Sequence, residues 1–196
     1  MMGRRIGTVV LSSVLLVLGL TGSAAAGKWP DERQGFFLGL NIGGGTAGVD
    51  VPATEPDLGI SDTDREGGVA GNFRIGYAFQ DQFGVGLETS GWAKEVDGEW
   101  WGYSVSGLGF TFWPGGKGFL IRGVIGSGSV SYSTESGGVT TTKSDSGLGL
   151  SGGIGYDIRL TKKFAIGPQI DYSWADVNDN LSVDFVNFTV GANWYF

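Results

Sequence analysis

The sequence predicts an all-β fold, an eight-stranded antiparallel up-and-down transmembrane β-barrel. Three observations predict it. Apolar and polar residues alternate along most of the chain, the alternating segments number eight, and the connections between them are short and long in turn. Alternation with a period of two is the pattern of a strand whose two faces meet different surroundings. Each segment has about 10 to 14 residues, which is long enough to cross a bilayer at a tilt.

The first 26 residues (1–26) have the pattern of a cleaved export signal. A short basic start ends at Arg5, and a mostly apolar run follows over 6–20. Small residues at Ala24 and Ala26 match the pattern that signal peptidase recognises. The alternative is an uncleaved anchor helix, but the apolar run is short for a membrane span. We therefore expect cleavage after Ala26.

The remaining residues, 27–196, are predicted to form the barrel. The signal takes two of the 13 basic residues, so the mature charge is 11 − 20 = −9. This charge argues against nucleic acid as a partner. With 41% hydrophobic residues the chain is not simply disordered, and its 38 Gly follow no collagen triplet.

Eight strands are predicted, and they differ in how clear their alternation is. Their approximate bounds are 35–47, 68–79, 83–93, 100–113, 118–132, 147–160, 164–175 and 182–196. Short turns are predicted at 80–82, 114–117 and 161–163. Longer connections are predicted at 48–67, 94–99, 133–146 and 176–181.

The fourth strand changes parity along its length. Tyr103 and Val105 lie on one face, whereas Leu108 and Phe110 lie on the other. A β-bulge near 106–107 would return all four to a single apolar face. We therefore predict a bulge there.

A membrane barrel is preferred to a soluble lipocalin-like barrel, in which the apolar residues would surround an internal ligand. The polar face carries many Gly, Ser and Asn residues, which are too small to be typical of a soluble exterior. Aromatic residues also crowd both ends of the strands, as two girdles at a membrane interface would. The girdle at the short turns comprises Phe79, Phe83, Phe112, Phe119, Phe164 and Phe196, and the girdle near the long loops comprises Trp92, Trp100, Trp101, Tyr132 and Trp174.

These features together resemble the small outer-membrane barrels of the OmpA/OmpX type, with the OmpW-like family as a close alternative. The chain ends in Asn193-Trp194-Tyr195-Phe196. The resemblance implies that Trp194 and Phe196 belong to the signal read by the barrel assembly machinery. It also implies a location in the Gram-negative outer membrane, in contact with its lipid and lipopolysaccharide.

Charged and amide side chains are predicted to face the lumen. In the hairpin centred on Asp81, the register that opposes Phe79 to Phe83 also opposes Arg74 to Glu88. A lumen polar network is predicted from Arg74, Glu88, Arg122, Asp157 and Asp171, with Asn41, Asn72, Arg159, Gln169 and Asn193 also inward. Buried charges of this kind must be paired or hydrated. The network could be a gate or narrow ion path, but we favour a polar plug.

Metal binding and catalysis find little support in the sequence. The acidic sequence Asp62-Thr63-Asp64 with Glu66 could hold calcium, but it lacks EF-hand spacing, so a solvated loop is favoured. The chain has no His and no Cys, which excludes the usual catalytic triads and zinc sites. By resemblance, the enzymes of this architecture depend on His. An acid–base pair of Asp157 and Asp171 remains the one catalytic alternative.

The sequence thus predicts an envelope-structural or surface-interaction role, with no enzyme activity and no cofactor or metal. The alternative is a narrow channel for passive passage of ions or small, including apolar, solutes. Catalysis ranks third.

Overall fold

A computed structural model describes residues 33–50, 65–96, 98–136, 139–178 and 181–196. The predicted signal peptide and the acidic sequence at 62–64 lie outside these residues. Within the described ranges, no helix has the length and apolar character needed to cross a membrane.

Nine segments of strand are present in the part of the chain that the structure describes. They are β1 (Gly35–Asp50), β2 (Glu66–Gln80), β3 (Phe83–Val96), β4 (Glu99–Phe112), β5 (Phe119–Ser136), β6 (Val139–Tyr156), β7 (Ile158–Thr161), β8 (Phe164–Asn178) and β9 (Leu181–Tyr195). Because β6 and β7 both pair with β8, they occupy one position in the wall, interrupted at Asp157. The wall therefore has eight positions.

The sheet closes on itself. Neighbouring strands are antiparallel throughout, and β1 pairs with both β2 and β9. Closure leaves no sheet edge in the wall, which is a requirement for strands that cross a membrane. The predicted fold class is confirmed.

Three predicted long connections are mostly strand. The β5–β6 hairpin stays paired up to Ser136 and Val139, where a loop over 133–146 was predicted. Likewise, β3 and β4 pair up to Val96 and Glu99. Polar sequence, which is rich in Ser and Thr in the β5–β6 hairpin and charged in the β3–β4 hairpin, concealed these extensions, since no apolar face is needed beyond the bilayer. We call this end the loop end and the opposite one, at the short turns, the turn end.

The two faces of the wall have opposite character. Ile42 and Leu108 point outward, and their side chains are 71% and 68% exposed. Inward charged side chains such as Arg74 and Asp171 are each only 1% exposed. Soluble proteins show the reverse arrangement. Apolar exposure around a closed barrel identifies the outward face as the lipid-facing surface.

The bulge predicted in β4 is absent. Pairing of β4 with β3 and with β5 runs without a register shift. Tyr103 and Val105 therefore face the lumen and are buried there, whereas Leu108 and Phe110 face outward. The prediction assumed that all apolar residues meet lipid, but part of this lumen is itself apolar.

Trp92 also lies inside the barrel, so its assignment to an aromatic girdle was wrong. Its side chain is 4% exposed, and its ring stacks on Tyr103 with centroids 5.2 Å apart. Trp92 belongs to an apolar layer of the lumen near the loop end. Trp101 and Tyr132 oppose each other in the β4–β5 register and have the same inward parity as Tyr103, so their assignment to the lipid-facing girdle was wrong as well.

The lumen has three layers along the barrel axis. The outer cluster, at the loop end, comprises Ala47, Val49, Trp92, Tyr103, Val105, Val124, Ala175, Val177, Val183 and Phe185. The inner cluster, at the turn end, comprises Phe37, Ala78, Trp113, Leu120, Ala165 and Tyr195. Between them lies a central layer of buried charged and amide side chains.

Inward glycines make room for the long polar side chains of this central layer. A Cβ on Gly39 would lie 2.6 Å from Nε of Arg74, and a Cβ on Gly109 would lie 2.8 Å from Oε2 of Glu88. Such contacts are too close for real Cβ atoms, so a larger residue at either position would displace the charged group. An eight-stranded interior is only just wide enough for side chains.

Candidate functional site: the barrel lumen

The central layer follows from strand geometry. Successive side chains of a strand point to opposite faces, so one parity of each strand lines the lumen. Arg74 on β2, Glu88 on β3, Arg122 on β5 and Asp171 on β8 all point inward and are buried. Asp157, at the break between β6 and β7, is buried as well.

Arg74 and Glu88 lie directly opposite each other in the β2–β3 register, as predicted. The pairing of Phe79 with Phe83 from which this register was counted is wrong. Phe83 pairs with Gln80 instead, because the register shifts between Ala78 and Gln80. The side chains of Arg74 and Glu88 nevertheless do not pair. The Glu88 carboxylate forms its ion pair with Nη1 of Arg122. Opposed positions therefore predict the register but not the ion-pair partner.

Arg122 crosslinks strands that are not neighbours. Besides its ion pair with Glu88, its Nε donates a 2.7 Å hydrogen bond to Oδ1 of Asp171. One guanidinium thereby joins β3, β5 and β8 across the lumen. Paired, hydrogen-bonded charges of this kind tolerate burial, whereas removal of one partner leaves an uncompensated charge.

Asp157 organises a second polar group nearer the turn end. Its carboxylate accepts hydrogen bonds from Asn193 Nδ2 at 2.7 Å, from Trp113 Nε1 at 3.3 Å and from the Tyr195 hydroxyl. Asn193 Oδ1 in turn accepts a 2.8 Å hydrogen bond from Arg74 Nη2. The five predicted network residues are thus divided between two groups.

Arg33 is part of the second group, and the sequence did not reveal it. Its Nη1 and Nη2 donate to the carbonyl oxygens of Gly116 and Lys117 at 2.7 and 2.9 Å, and its backbone N–H donates to Asp81 Oδ1 at 3.0 Å. Its guanidinium lies 5.1 Å from the centre of the Trp113 ring. Arg33 precedes the first alternating segment, so no periodic pattern marked it.

Arg33 and the aromatic rings of the inner cluster fill the turn end. Trp113 lies edge-on to Phe37, with centroids 6.1 Å apart, and 6.3 Å from Tyr195. Arg33 and Trp113 have no solvent exposure. At the loop end, the stacked rings of Trp92 and Tyr103 and the fully buried Phe185 fill the lumen in the same way.

The arrangement offers little for metal or acid–base chemistry. Among the residues that the structure describes, no three His, Cys, Asp or Glu side chains form a group that could hold a metal ion. Asp157 and Asp171 each belong to a different polar group, with different partners. Each carboxylate is hydrogen-bonded to side chains of other strands, which is the arrangement of a structural polar contact between strands.

The two terminal positions singled out in the sequence lie at the turn end of β9. Trp194 faces outward and packs on Phe164 with ring centroids 5.2 Å apart. Phe196 is 65% exposed, and its backbone N–H donates a 2.8 Å hydrogen bond to the Phe36 carbonyl. The last residue thus also ties β9 to β1, where the barrel closes.

Residues 12–196 match the family model of the outer membrane protein beta-barrel domain. The chain belongs to this family. With the lipid-facing outer surface, this membership places the protein in the outer membrane of a Gram-negative bacterium. A search of curated protein sequences found no match.

Solved structures of small barrels share the fold at low identity. Ail, the attachment invasion locus protein of Yersinia pestis, is 17% identical over 83% of this chain and 99% of its own, with a TM-score of 0.54. The same protein in complex with the heparin analogue sucrose octasulfate gives the same identity and TM-score. Neisserial surface protein A is 13% identical over 84% of this chain and 99% of its own, with a TM-score of 0.55. These likenesses support the fold alone.

Proposed function

We propose that this protein is a closed outer-membrane barrel with an envelope-structural or surface-interaction role. The observation that carries the proposal is the packing of both lumen ends. The outer cluster fills the loop end, and the inner cluster with Arg33 fills the turn end. A barrel filled in this way serves as a rigid membrane anchor that holds its loop end at the cell surface.

The alternative, a passive channel, requires both clusters to move. The outer cluster contains the stacked pair of Trp92 and Tyr103, and Phe185 packs with it. Arg122 crosslinks three strands between the two clusters. Because protein interiors of this kind are close-packed, a continuous path would need concerted rearrangement. The plug is therefore favoured over the gate.

The loop end carries excess negative charge, which bears on its partners. Among described side chains there, six carboxylates (Glu66, Glu95, Glu99, Asp145, Asp176, Asp184) face three cations (Arg65, Lys94, Lys143). Because this acidic loop end would repel polyanions, we do not propose for this protein the binding of a heparin analogue seen in the Ail complex. Divalent cations could instead bridge this rim to the phosphates of lipopolysaccharide.

Two further parts of the proposal concern assembly and catalysis. Trp194 and Phe196 are proposed as the signal for the barrel assembly machinery, supported by their outward position at the closing strand. Enzyme activity is not proposed, because the chain has no His or Cys nucleophile or base and its buried carboxylates face the lumen.

Planar-bilayer recordings on refolded protein test the closed lumen. We expect no reproducible single-channel steps from the wild-type barrel. A variant with Trp92→Ala, Phe185→Ala and Trp113→Ala, which thins both clusters, should conduct and so show that the preparation inserts. Steps from the wild type that change with Arg74→Ala or Glu88→Ala would support the channel instead.

Lipopolysaccharide binding tests the surface role separately. The barrel in phospholipid nanodiscs should bind lipopolysaccharide in the presence of Mg²⁺ and release it with EDTA. A variant with Glu95→Gln, Glu99→Gln and Asp176→Asn should bind less. Binding that is unaffected by EDTA and by these substitutions would contradict cation bridging.

A further inference from the structure

The apolar band that faces lipid differs in height around the barrel. On β8 the outward side chains stay apolar or aromatic from Phe164 to Trp174, which is 11 residues (174 − 164 + 1). On β4 they stay so only from Phe112 to Leu108, which is 5 residues (112 − 108 + 1). Strands rise about 3.3 Å per residue and tilt by about 40°, so these segments span about 27 Å and about 12 Å along the membrane normal. A membrane barrel has an apolar band of about 25 Å, so the band on β4 covers about half the bilayer.

Small polar residues occupy the next outward positions toward the loop end. The Thr89 hydroxyl on β3 and the Ser106 hydroxyl on β4 are hydrogen-bonded to each other at 2.6 Å. Ser104 and Ser129, nearer the loop end, form a second pair at 2.8 Å. Hydroxyl groups in hydrocarbon lose the hydrogen bonds that water provides. We call this set of outward side chains the hydroxyl patch, and it comprises Thr89, Ser104, Ser106, Ser127 and Ser129.

The strand register places the hydroxyl patch at the height of the apolar band of β8. Paired residues followed around the wall from Phe37 lead back to β1 at Ala47, ten residues nearer the loop end (47 − 37). A row of paired residues therefore climbs by 10/8 of a residue per strand, or about four residues over the three steps from β4 to β8. The row through Ser106 reaches Asp176 on β8, so Tyr172, four residues nearer the turn end, lies level with Ser106. Tyr172 is 53% exposed within the apolar band of β8.

Tilting of the whole barrel would not remove this mismatch. Raising the β4 side until the hydroxyl patch left the hydrocarbon would draw the turn over 114–117, with its exposed Lys117, into the bilayer. It would also lower the β8 side and bring Asp176, which is exposed just beyond Trp174, into the hydrocarbon. Charged side chains in hydrocarbon are costly. The lipid must therefore adjust, since a band shorter than the bilayer is accommodated by local thinning.

The hydroxyl patch is continuous with the lipid-facing surface and opens toward the loop end. On β5 the outward positions continue beyond Ser129 as Ser131 and Ser133. Along this strand the patch therefore runs into the polar loop end without an apolar rim. Lipid headgroups and their water can reach it from that end, which favours headgroups over a second barrel as its partner.

We propose that the bilayer leaflet at the loop end is thinned beside β3, β4 and β5, where lipid headgroups descend to the hydroxyl patch. Oxygen atoms of these headgroups accept hydrogen bonds from the patch hydroxyls. Leu108, the last apolar side chain of the short band, stays in hydrocarbon, and beside β8 the leaflet keeps its full thickness. The barrel thus disturbs lipid packing on one side only. This goes beyond the proposed surface role and does not depend on it.

Spin labels at two level positions test the proposal directly. The chain has no cysteine, so Ser106→Cys and Tyr172→Cys each provide a single attachment site for a nitroxide. The labelled barrels are refolded in phosphatidylcholine vesicles, and power saturation compares collisions with a water-soluble nickel chelate and with oxygen. We expect the nickel-to-oxygen collision ratio at 106 to be several-fold higher than that at 172. Equal ratios would overturn the proposal. Exclusion of both reagents at 106, with dipolar broadening between labels, would show a second barrel on the patch and would also overturn it.

A matched pair of double variants tests the consequence for stability. Thr89→Leu with Ser106→Leu extends the apolar band on β3 and β4. The control, Ser133→Leu with Thr142→Leu, replaces another outward Ser–Thr pair, whose hydroxyls are 2.9 Å apart nearer the loop end. The thermal unfolding midpoint is measured in phosphatidylcholine vesicles of increasing acyl-chain length. We expect the most stabilising chain length to increase in the patch variant but not in the control, because the mismatch is reduced. An unchanged optimum in the patch variant, or an equal shift in both, would contradict the thinning.

Discussion

The lipid-facing and lumen-facing surfaces of this barrel share one backbone but are stabilised in different ways. The outward face exposes large apolar side chains such as Leu87 and Leu108. These side chains require only an apolar surrounding, which the lipid chains of the bilayer provide. The inward face buries charges that require specific partners, as Arg122 has in Glu88 and Asp171. The effect of a substitution on stability should therefore depend first on whether the residue faces lipid or the lumen, and only then on the type of residue introduced.

Removal of a charge from the lumen face should have the largest effect. Arg122→Ala leaves Glu88 and Asp171 buried together without their shared cation, and we expect a loss of about 3–5 kcal/mol in the free energy of unfolding. Urea unfolding of the refolded barrel in lipid vesicles measures it. Combining Arg122→Met with Glu88→Gln and Asp171→Asn should recover part of the loss. A loss below about 1 kcal/mol for Arg122→Ala would contradict the crosslink.

Addition of a charge to the lipid face should have the next largest effect. Leu108 lies on the outward face of β4 between Trp100 and Phe112, so an arginine there would sit within the apolar band. We expect Leu108→Arg to destabilise the barrel by about 2–4 kcal/mol in the same unfolding measurement. Leu108→Met keeps the surface apolar and should change little. Tolerance of Leu108→Arg would mean that this face does not meet lipid.

Two adjacent glycines on β6 give the finest comparison of the faces. A Cβ on Gly153 would collide with the Asp171 carboxylate, whereas the nearest atom to a Cβ on Gly152 is the Arg122 carbonyl oxygen at 3.8 Å. Gly153→Ala should therefore cost about 1–3 kcal/mol through overpacking. Gly152→Ala should be neutral to slightly stabilising, since glycine is unfavourable in a strand. Equal effects at the two positions would contradict the assigned parity of β6.

Alternation was enough to predict the closed barrel and the register that opposes Arg74 to Glu88. A tight turn restricts the pairing of the strands that flank it. The register at Arg74 was nevertheless counted from Phe79 opposite Phe83, and it is correct only because a register shift between Ala78 and Gln80 offsets the pairing of Phe83 with Gln80. The same alternation failed for Trp92, Tyr103 and Val105. Parity assigns residues to two faces, but it does not reveal that the lumen has an apolar layer.

The partners within the lumen could not be predicted for a different reason. Arg122 contacts Glu88 and Asp171 on strands that are two positions away on either side in the wall. Such contacts depend on barrel closure and strand tilt, which no local pattern encodes. Arg33 was missed because it precedes the first strand and is positioned by two turns, through Asp81 and Gly116.

Tryptophan fluorescence tests most directly whether apolar residues lie in the lumen as well as against lipid. Two variants are compared in vesicles of lipids brominated along the acyl chains, each with one of the seven tryptophans kept and the others changed to Phe. One keeps Trp92, which is buried in the outer cluster, and the other keeps Trp174, which faces outward on β8. We expect strong quenching of Trp174 and little quenching of Trp92. Equal quenching of the two would show that Trp92 faces lipid and would contradict a lumen closed by the outer cluster.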